Sequence, residues 1–244
     1  MYLFSLSNTK NLAEQICSKT KLKLGQHQAY RLSDGELYLA IKNKIKGQNV
    51  FVMGSTYQPD NNIIEFLILI NALKENGAKK ITAIIPYFGY ARQDKIDRAG
   101  SPITAKLIAD LFKTAGINQF ITIDIHSQRN EKYLGPKLIN ISCLSLFADY
   151  IKKNIDLRNC LIVAPDKGAK PRALTLSKLL GKLPIIIMQK IRIKQNIAKV
   201  MRFKKAIAGK NALIIDDMID TAGTIISACQ ELQRHQVKNI YVFA

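Results

Sequence analysis

The sequence is poor in acidic residues and in cysteine. Its 244 residues include 37 Lys and Arg but only 18 Asp and Glu, which gives a formal net charge of +19. The four cysteines lie far apart, have no metal-ligand spacing, and each falls in or beside an apolar segment: Cys17, Cys143, Cys160 and Cys229. That pattern is typical of buried free thiols, so we expect a reducing cytoplasm and neither a disulfide framework nor a cysteine metal site.

A long apolar run is also missing. The longest one, residues 63–73, contains Glu65 and Asn71 and is too short and too polar to span a membrane. The apolar residues 1–6 have no basic region before them, so they predict a first β-strand and not a signal peptide.

Acidic residues are absent altogether between Asp166 and Asp216, where thirteen Lys or Arg residues occur. Such an imbalance attracts polyanions, either a nucleic acid or a small phosphorylated substrate. Phe203 is the only aromatic residue there, so a base-stacking surface is not indicated. A solvated basic face accounts for most of these charges.

Strand-like and helix-like segments alternate along the chain. The β-branched, apolar segments that predict strands are residues 49–53, 81–86, 120–124, 160–164, 184–188, 212–217 and 239–244. The helical patterns between them cover residues 61–76, 104–114, 145–153, 172–180 and 224–234. This alternation predicts an α/β protein with mostly parallel sheets flanked by helices.

No low-complexity linker divides the chain. Two similar phosphate-type turns fall after residues 141–159, whereas a different set of motifs falls before them. We therefore predict two α/β domains of similar layout, residues 1–145 and residues 146–244.

The segment from Leu213 to Thr224 is the most informative one. A buried strand leads into Asp216 and Asp217, and then into a turn of small residues at the start of a helix. Backbone N–H groups at such a helix start bind phosphate, and carboxylates at the end of a parallel strand can accept hydrogen bonds from the hydroxyls of a ribose. An ordinary strand-to-helix turn with exposed acids is the alternative.

Two more motifs lie in the first half of the chain. Residues 31–36 place Gly35 between Asp34 and Glu36, which marks a tight turn but fits a plain hairpin loop equally well. Residues 86–102 follow a strand and mix aromatic side chains that could stack on a purine with cations that could meet phosphates. A mobile charged loop explains the cations after Asp94 but not the aromatic residues.

Two further motifs follow strands. His126 ends the segment Asp124-Ile125-His126, where a lone histidine is either structural or a ligand. Asp166 opens the turn that runs to Lys170 and has the order strand, acid, glycine turn and helix, as expected of a loop that binds diphosphate or lies near a metal.

The five motifs in this order, with Ala91-Arg92-Gln93-Asp94-Lys95 as the most specific, resemble the ribose-phosphate pyrophosphokinase family. The resemblance covers nearly the whole chain. It implies two phosphoribosyltransferase-like domains and transfer of the diphosphoryl group of ATP to the anomeric hydroxyl of ribose 5-phosphate.

The resemblance also implies roles for individual residues. Asp34 and Glu36 match a loop that contacts the adenine of ATP from a neighbouring subunit, and Arg92, Gln93 and Asp94 match the ATP-binding segment. His126 and Asp166 match positions linked to Mg²⁺. Lys190 and Arg192 match the catalytic pair of a flexible loop. The residues that match the ribose-5-phosphate site are Asp216, Asp217, Asp220, Thr221, Ala222, Gly223 and Thr224.

The same resemblance implies Mg²⁺ as cofactor and a homo-oligomer, a dimer or a hexamer, with a shared nucleotide site. Leu32 departs from the family pattern, which usually has Phe before the Asp-Gly-Glu loop. Family members also continue beyond the counterpart of residue 244, so we expect the second domain to be incomplete, either in a fragment or truncated product or in a chain that a partner completes.

Three alternatives remain open at this point. A non-catalytic or weakly active paralogue would keep the same ligands or assemble with a full-length enzyme. A phosphoribosyltransferase would need the loop around Asp216 but not Arg92-Gln93-Asp94. A basic nucleic-acid-binding protein would fit the charge, but no recognition motif supports it.

Overall fold

The computed structural model describes residues 1–191, 200–202 and 207–244. They form two compact units, Met1–Ile141 and Ser142–Ala244. The first unit therefore ends four residues earlier than the predicted boundary after residue 145. The last strand of its sheet ends at Ile141, and the chain leaves the unit directly after that strand.

The first unit is built on a parallel sheet. Its strands are β1 (Tyr2–Ser5), β2 (Lys23–Leu24), β3 (His27–Arg31), β4 (Leu37–Ile41), β5 (Asn49–Met53), β6 (Lys80–Ile85), β7 (Gln119–Ile123) and β8 (Ile139–Ile141). Six of them form the sheet in the order β2-β1-β5-β6-β7-β8, with every pairing parallel. Strands β3 and β4 form a separate antiparallel hairpin.

The helices of this unit are α1 (Lys10–Lys19), α2 (Asn61–Glu75), α3 (Thr104–Ala115) and α4 (Gln128–Leu134). Apolar residues on α2 recur every three or four positions, and Phe66, Ile70 and Leu73 are fully buried. Phe66 meets Phe112 of α3 edge to face, with ring centroids 5.3 Å apart. These contacts hold the helices against the sheet and fix the loops at the strand ends.

The second unit has a smaller parallel sheet. Its strands are β9 (Cys160–Ala164), β10 (Ile185–Ile187), β11 (Gln189–Ile191), β12 (Val200–Arg202), β13 (Asn211–Ile215) and β14 (Asn239–Phe243), and its helices are α5 (Leu144–Asn154), α6 (Lys170–Leu179) and α7 (Gly223–Arg234). Four strands pair in the order β10-β9-β13-β14, all parallel. Strands β11 and β12 form an antiparallel pair.

Strands β9 and β13 are the centre of this sheet. Every residue of β9 is buried, as are the last four residues of β13, which explains their unbroken apolar sequence. Both strands end in acidic loops, so the core of the unit positions the two predicted phosphate-type turns.

The predicted class, an α/β fold with mostly parallel sheets, is confirmed. The seven strands and five helices predicted between residues 49 and 244 are all present, with ends shifted by at most two residues. The sequence patterns do not predict α1, α4, β2, β8, β11 or β12. Helix α4 is short and polar (Gln128–Leu134), so it lacks the apolar periodicity that predicts a helix.

Residues 31–36 do form a hairpin connection, between β3 and β4. Among the helices of the described residues, none has both the length and the apolar character of a membrane span.

Candidate active site

The predicted site residues lie mainly in loops that follow parallel strands. In the first unit these loops follow β5, β6 and β7, which are neighbours in the sheet. In the second unit they follow β9 and β13, again neighbours. The carboxyl ends of neighbouring parallel strands meet at one edge, where open α/β sheets bind ligands.

Thr56 joins the loops after β5 and β6. It is 2 % exposed, and its Oγ1 accepts a hydrogen bond of 2.6 Å from the backbone N–H of Gly89. Its own backbone N–H donates to the carbonyl oxygen of Tyr87 over 3.0 Å. The backbones approach so closely that a Cβ at Gly89 would lie 2.0 Å from the carbonyl oxygen of Thr56. Glycine at position 89 is therefore a steric requirement.

Tyr90 continues this loop in a left-handed backbone conformation, with φ of 61°. Its hydroxyl donates a hydrogen bond of 2.6 Å to Oδ1 of Asp60. That bond to a carboxylate raises the pKa of the Tyr90 phenol above its ordinary value. Asp60 thus ties the loop after β5 to the turn that leads into Ala91.

The segment Ala91-Arg92-Gln93-Asp94 is buried at both ends and exposed in the middle. Ala91 and Asp94 are each 5 % exposed, whereas Arg92 and Gln93 are exposed. Oε1 of Gln93 accepts a hydrogen bond of 2.6 Å from the Thr104 hydroxyl, at the start of α3. The segment therefore presents two polar side chains between two anchored positions.

The carboxylate of Asp94 points into the protein. Its Oδ2 accepts a hydrogen bond of 2.6 Å from the hydroxyl of Ser127 and lies 3.6 Å from a guanidinium nitrogen of Arg129. Ser127 is also the N-cap residue of α4 and directly follows His126, which is half-buried. The bond between Asp94 and Ser127 thus joins the segment that carries Arg92 and Gln93 to the loop that carries His126.

Asp34 and Glu36 lie in the exposed connection of the β3–β4 hairpin. Gly35 has a φ of +89°, and Oδ1 of Asp34 accepts a hydrogen bond of 3.0 Å from the backbone N–H of Glu36. The hairpin and α2 enclose a groove of about 320 Å³ that Glu36 helps to line. No described contact connects Asp34 or Glu36 with the segment around Arg92.

In the second unit, Asp166 follows β9 and organises its own turn. Its Oδ1 accepts hydrogen bonds from the backbone N–H groups of Gly168, at 2.8 Å, and Ala169, at 3.2 Å. The turn leads into α6, which has Pro171 in its first turn, where a missing N–H costs nothing.

Asp216 and Asp217 lie directly after β13, one and two residues beyond its end at Ile215. The backbone N–H of Asp217 donates to Oδ1 of Asp216 over 2.9 Å. The pKa of Asp216 is raised from its ordinary value of 3.8 to about 6, mainly by burial and to a smaller extent by the nearby carboxylates of Asp217 and Asp166, while the backbone hydrogen bond from Asp217 opposes the rise. The ends of β9 and β13 therefore bring the carboxylates of Asp166, Asp216 and Asp217 close enough to influence one another.

The small-residue turn ends at Ala222, which has a φ of 59° and precedes the first residue of α7, Gly223. No side chain caps the N-terminus of α7 at Ala222. Thr221 and Gly223 are exposed. The first turn of this twelve-residue helix therefore offers backbone N–H groups and the positive end of the helix dipole to an anion.

Lys190 lies on β11, and Arg192 lies outside the described residues. Among the residues that the structure describes, no group of three or more His, Cys, Asp and Glu side chains is arranged to hold a metal ion. His126 and Asp166 belong to different units.

Sequence reasoning missed the residues that hold the first-unit loops in place: Thr56, Asp60, Ser127, Asn130 and Tyr133. Small polar residues after a strand, as in Gly54-Ser55-Thr56, and a serine before a short helix were the available signals. Neither signal predicts which distant loop these polar side chains will contact.

Comparison with known families and proteins covers almost the whole chain. Residues 1–116 match the N-terminal domain of ribose phosphate pyrophosphokinase, and residues 130–243 match the phosphoribosyl transferase domain. The ribose-phosphate pyrophosphokinase of Bacillus caldolyticus is 41% identical over 240 residues, which are 98% of this chain and 76% of that protein. The Pasteurella multocida protein of the same name is 36% identical over 244 residues, 99% of this chain and 78% of its own length.

A solved structure agrees with these relatives. The crystal structure of phosphoribosylpyrophosphate synthetase from Mycobacterium smegmatis matches with a TM-score of 0.90 and 32% identity, over 99% of this chain and 79% of that one. The fold is therefore that of two phosphoribosyltransferase-like domains, and the chain belongs to the ribose-phosphate pyrophosphokinase family.

Proposed function

We propose that this chain is a ribose-phosphate diphosphokinase, which transfers the diphosphoryl group of ATP to the anomeric hydroxyl of ribose 5-phosphate. The products are phosphoribosyl pyrophosphate and AMP. The observation that carries this proposal is the match to named ribose-phosphate pyrophosphokinases over 98% or more of the chain. The loop geometry after β6 and β13 supports it independently.

Ribose 5-phosphate is assigned to the loop after β13. Asp216 and Asp217 would accept hydrogen bonds from the ribose hydroxyls, as carboxylates at a strand end can. The phosphate would lie at the N-terminus of α7, where backbone N–H groups and the helix dipole favour an anion. The remaining residues of this proposed subsite are Asp220, Thr221, Ala222, Gly223 and Thr224.

ATP is assigned to the segment from Arg92 to Asp94 in the first unit. Arg92 and Gln93 are exposed at a strand-end edge and carry donors suited to phosphates and to a base. Asp34 and Glu36 are exposed on a hairpin, as a contact to the adenine site of a neighbouring copy would require. We accordingly propose a homo-oligomer, a dimer or a hexamer, with nucleotide sites shared between copies.

Diphosphoryl transfer depends on positioning and on charge stabilisation, because the enzyme forms no covalent bond to the phosphorus. The anomeric oxygen attacks the β-phosphorus, its proton leaves, and the bond to the α-phosphate oxygen breaks to release AMP. Lys190 and Arg192 are proposed to offset the charge that develops on the diphosphate. Each well-aimed donor of this kind contributes about 3–4 kcal/mol.

The oxygen atoms available as metal ligands fit Mg²⁺. This ion prefers oxygen ligands and retains several waters, so it needs only one or two carboxylates beside the substrate phosphates, not a protein cage. Each unit by itself offers one candidate contact to Mg²⁺: in the second unit the Asp166 carboxylate beside a glycine turn, and in the first unit His126, which would act through a bound water. When bound, the ion would neutralise phosphate charge at the β-phosphorus. The location of the protein in the cytoplasm stays a prediction.

The direct test is incubation of the purified protein with ATP, Mg²⁺ and ribose 5-phosphate, followed by quantification of AMP. We expect AMP release that requires all three components. ATP binding without ribose-dependent AMP release would contradict the proposal.

A further inference from the structure

We propose that Asp94 is a positioning residue, which locks the segment Ala91–Asp94 to helix α4 and thereby sets Arg92, Gln93 and His126 in one fixed arrangement. The inference rests on the proposed function for the meaning of that segment, and it concerns a role for Asp94 other than contact with ATP.

The carboxylate of Asp94 is buried. The side chain of Asp94 is 7% exposed, whereas Arg92 and Gln93 beside it are exposed. A buried carboxylate is tolerated only if it is hydrogen-bonded or paired. Asp94 has both kinds of partner, since Ser127 donates to its Oδ2 over 2.6 Å and Arg129 lies 3.6 Å from the same oxygen.

Helix α4 contacts both ends of the segment Ala91–Asp94. Nδ2 of Asn130, a residue with 0% exposure, donates to the carbonyl oxygen of Ala91 over 2.8 Å. The hydroxyl of Tyr133 donates to the backbone carbonyl oxygen of Asp94 over 2.9 Å. One face of the helix therefore holds the backbone at residues 91 and 94, on either side of the two exposed residues.

Ser127 connects Asp94 to the backbone beside His126. Ser127, which donates to Asp94, is the N-cap of α4, and its Oγ accepts a hydrogen bond of 3.4 Å from the backbone N–H of Asn130. His126 is the adjacent residue, so the hydroxyl that holds Asp94 also fixes the backbone on which His126 sits. Asp94 thereby couples the loop after β6 to the loop after β7.

The test uses variants that keep Asp94 and variants that change it. Ser127→Ala and Tyr133→Phe each remove one bond to Asp94, whereas Asp94→Ala removes the carboxylate. We expect Ser127→Ala to raise the KM for ATP by about five- to tenfold, with the KM for ribose 5-phosphate changed less than about twofold.

Ser127→Thr, which retains the hydroxyl, should restore the KM for ATP. Asp156→Asn is the matched control, because Asp156 is an exposed carboxylate paired with Arg158 in the second unit.

Two further measurements make the result decisive. Ser127→Ala combined with Asp94→Ala should raise the KM for ATP no more than Asp94→Ala alone, because both changes break the same link. Hydrogen exchange needs no turnover, and in Ser127→Ala it should become faster in residues 91–94 and 126–134 together. If the protein released no ribose-dependent AMP, the proposed function would fail, and hydrogen exchange would still decide this inference.

Either of two results would overturn the inference. A KM for ATP that rises in Asp94→Ala but stays within about twofold in Ser127→Ala would mean that Asp94 acts on ATP directly. Unchanged hydrogen exchange in residues 91–94 of Ser127→Ala would mean that the two loops are not coupled, because loss of the cap alone affects only α4.

Discussion

The backbone N–H of Gly89 donates a hydrogen bond of 2.6 Å to Oγ1 of Thr56, so the loops after β5 and β6 meet without space for a side chain. This contact lies at the edge of the sheet where the proposed ATP segment begins. It determines where the chain turns toward Tyr90 and Arg92.

Gly89→Ala is therefore expected to be strongly destabilising. The added methyl group would lie 2.0 Å from the carbonyl oxygen of Thr56, and a backbone atom cannot rotate away as a side chain can. We expect a loss of about 3 kcal/mol or more in the free energy of unfolding, measured by urea denaturation, at the upper end of the cost of overpacking. Gly47→Ala is the control, because Gly47 has a φ of +75° but no atom within 4 Å of an added Cβ. That variant should lose about 1–2 kcal/mol. An equal loss in both variants would contradict the steric account.

Ala222→Gly tests the strain in the proposed ribose-phosphate loop. Ala222 has a φ of 59°, and a left-handed conformation costs a residue with a Cβ about 1–2 kcal/mol. Glycine removes this cost, but it also stabilises the unfolded chain by about 0.4–1 kcal/mol through added conformational freedom, so the variant should be equally stable or up to about 1.6 kcal/mol more stable. Ala72→Gly within α2 should instead lose about 1 kcal/mol in the same denaturation experiment. A comparable loss at position 222 would argue against the left-handed turn.

Asp216→Asn tests the carboxylate pair after β13 through the pH dependence of stability. The pKa of Asp216 is raised to about 6 in the folded protein, whereas an unfolded aspartate titrates near 3.8. The folded state thus binds the proton more tightly, and its stability falls as the pH rises through the window between these two values. The variant cannot ionise, so it should gain stability over the wild type above about pH 6 and match it below about pH 4. Free energies of unfolding at both ends of the window check this, and a difference independent of pH would contradict it.

The same titration predicts a change in substrate affinity. A protonated Asp216 accepts hydrogen bonds from ribose hydroxyls less well than a carboxylate does. The Kd for ribose 5-phosphate should therefore rise as the pH falls below about 6. Calorimetric titration over this range checks it. In Asp216→Asn the Kd should lose most of this dependence, and a dependence that persists unchanged would place the titrating group elsewhere.

Lys190→Ala tests the proposed catalytic pair. Loss of a cation that acts mainly in the transition state should lower kcat by about 10²–10³ with a smaller change in either KM. Lys190→Arg should recover part of the rate. Lys178→Ala, which removes an exposed charge on α6, should leave kcat near the wild-type value. Steady-state AMP release distinguishes these cases, and equal effects at positions 178 and 190 would remove Lys190 from the mechanism.

The sequence predicts the fold well where periodicity is strong. The fully buried strand β9 and the amphipathic helix α3 have clear patterns, and the predicted segments differ from the structure by at most two residues at either end. Strand β8 has no such pattern, because it has only three residues and all of them are exposed.

Within the site, sequence reasoning places residues on the right strand ends but gives no side-chain direction. Asp94 was assigned to ATP from its motif, yet its carboxylate is buried against Ser127. Tertiary hydrogen bonds across 33 positions of sequence determine this orientation, and local pattern carries no information about them.

The central claim, transfer of an intact diphosphoryl group, is tested most directly by the fate of labelled phosphorus. The protein is incubated with ribose 5-phosphate, Mg²⁺ and ATP labelled at either the α- or the β-phosphorus, and the products are separated. The account predicts that the β-label appears in the sugar product and the α-label in AMP. Recovery of the β-label in ADP would contradict it, and so would a sugar product that carries no β-label.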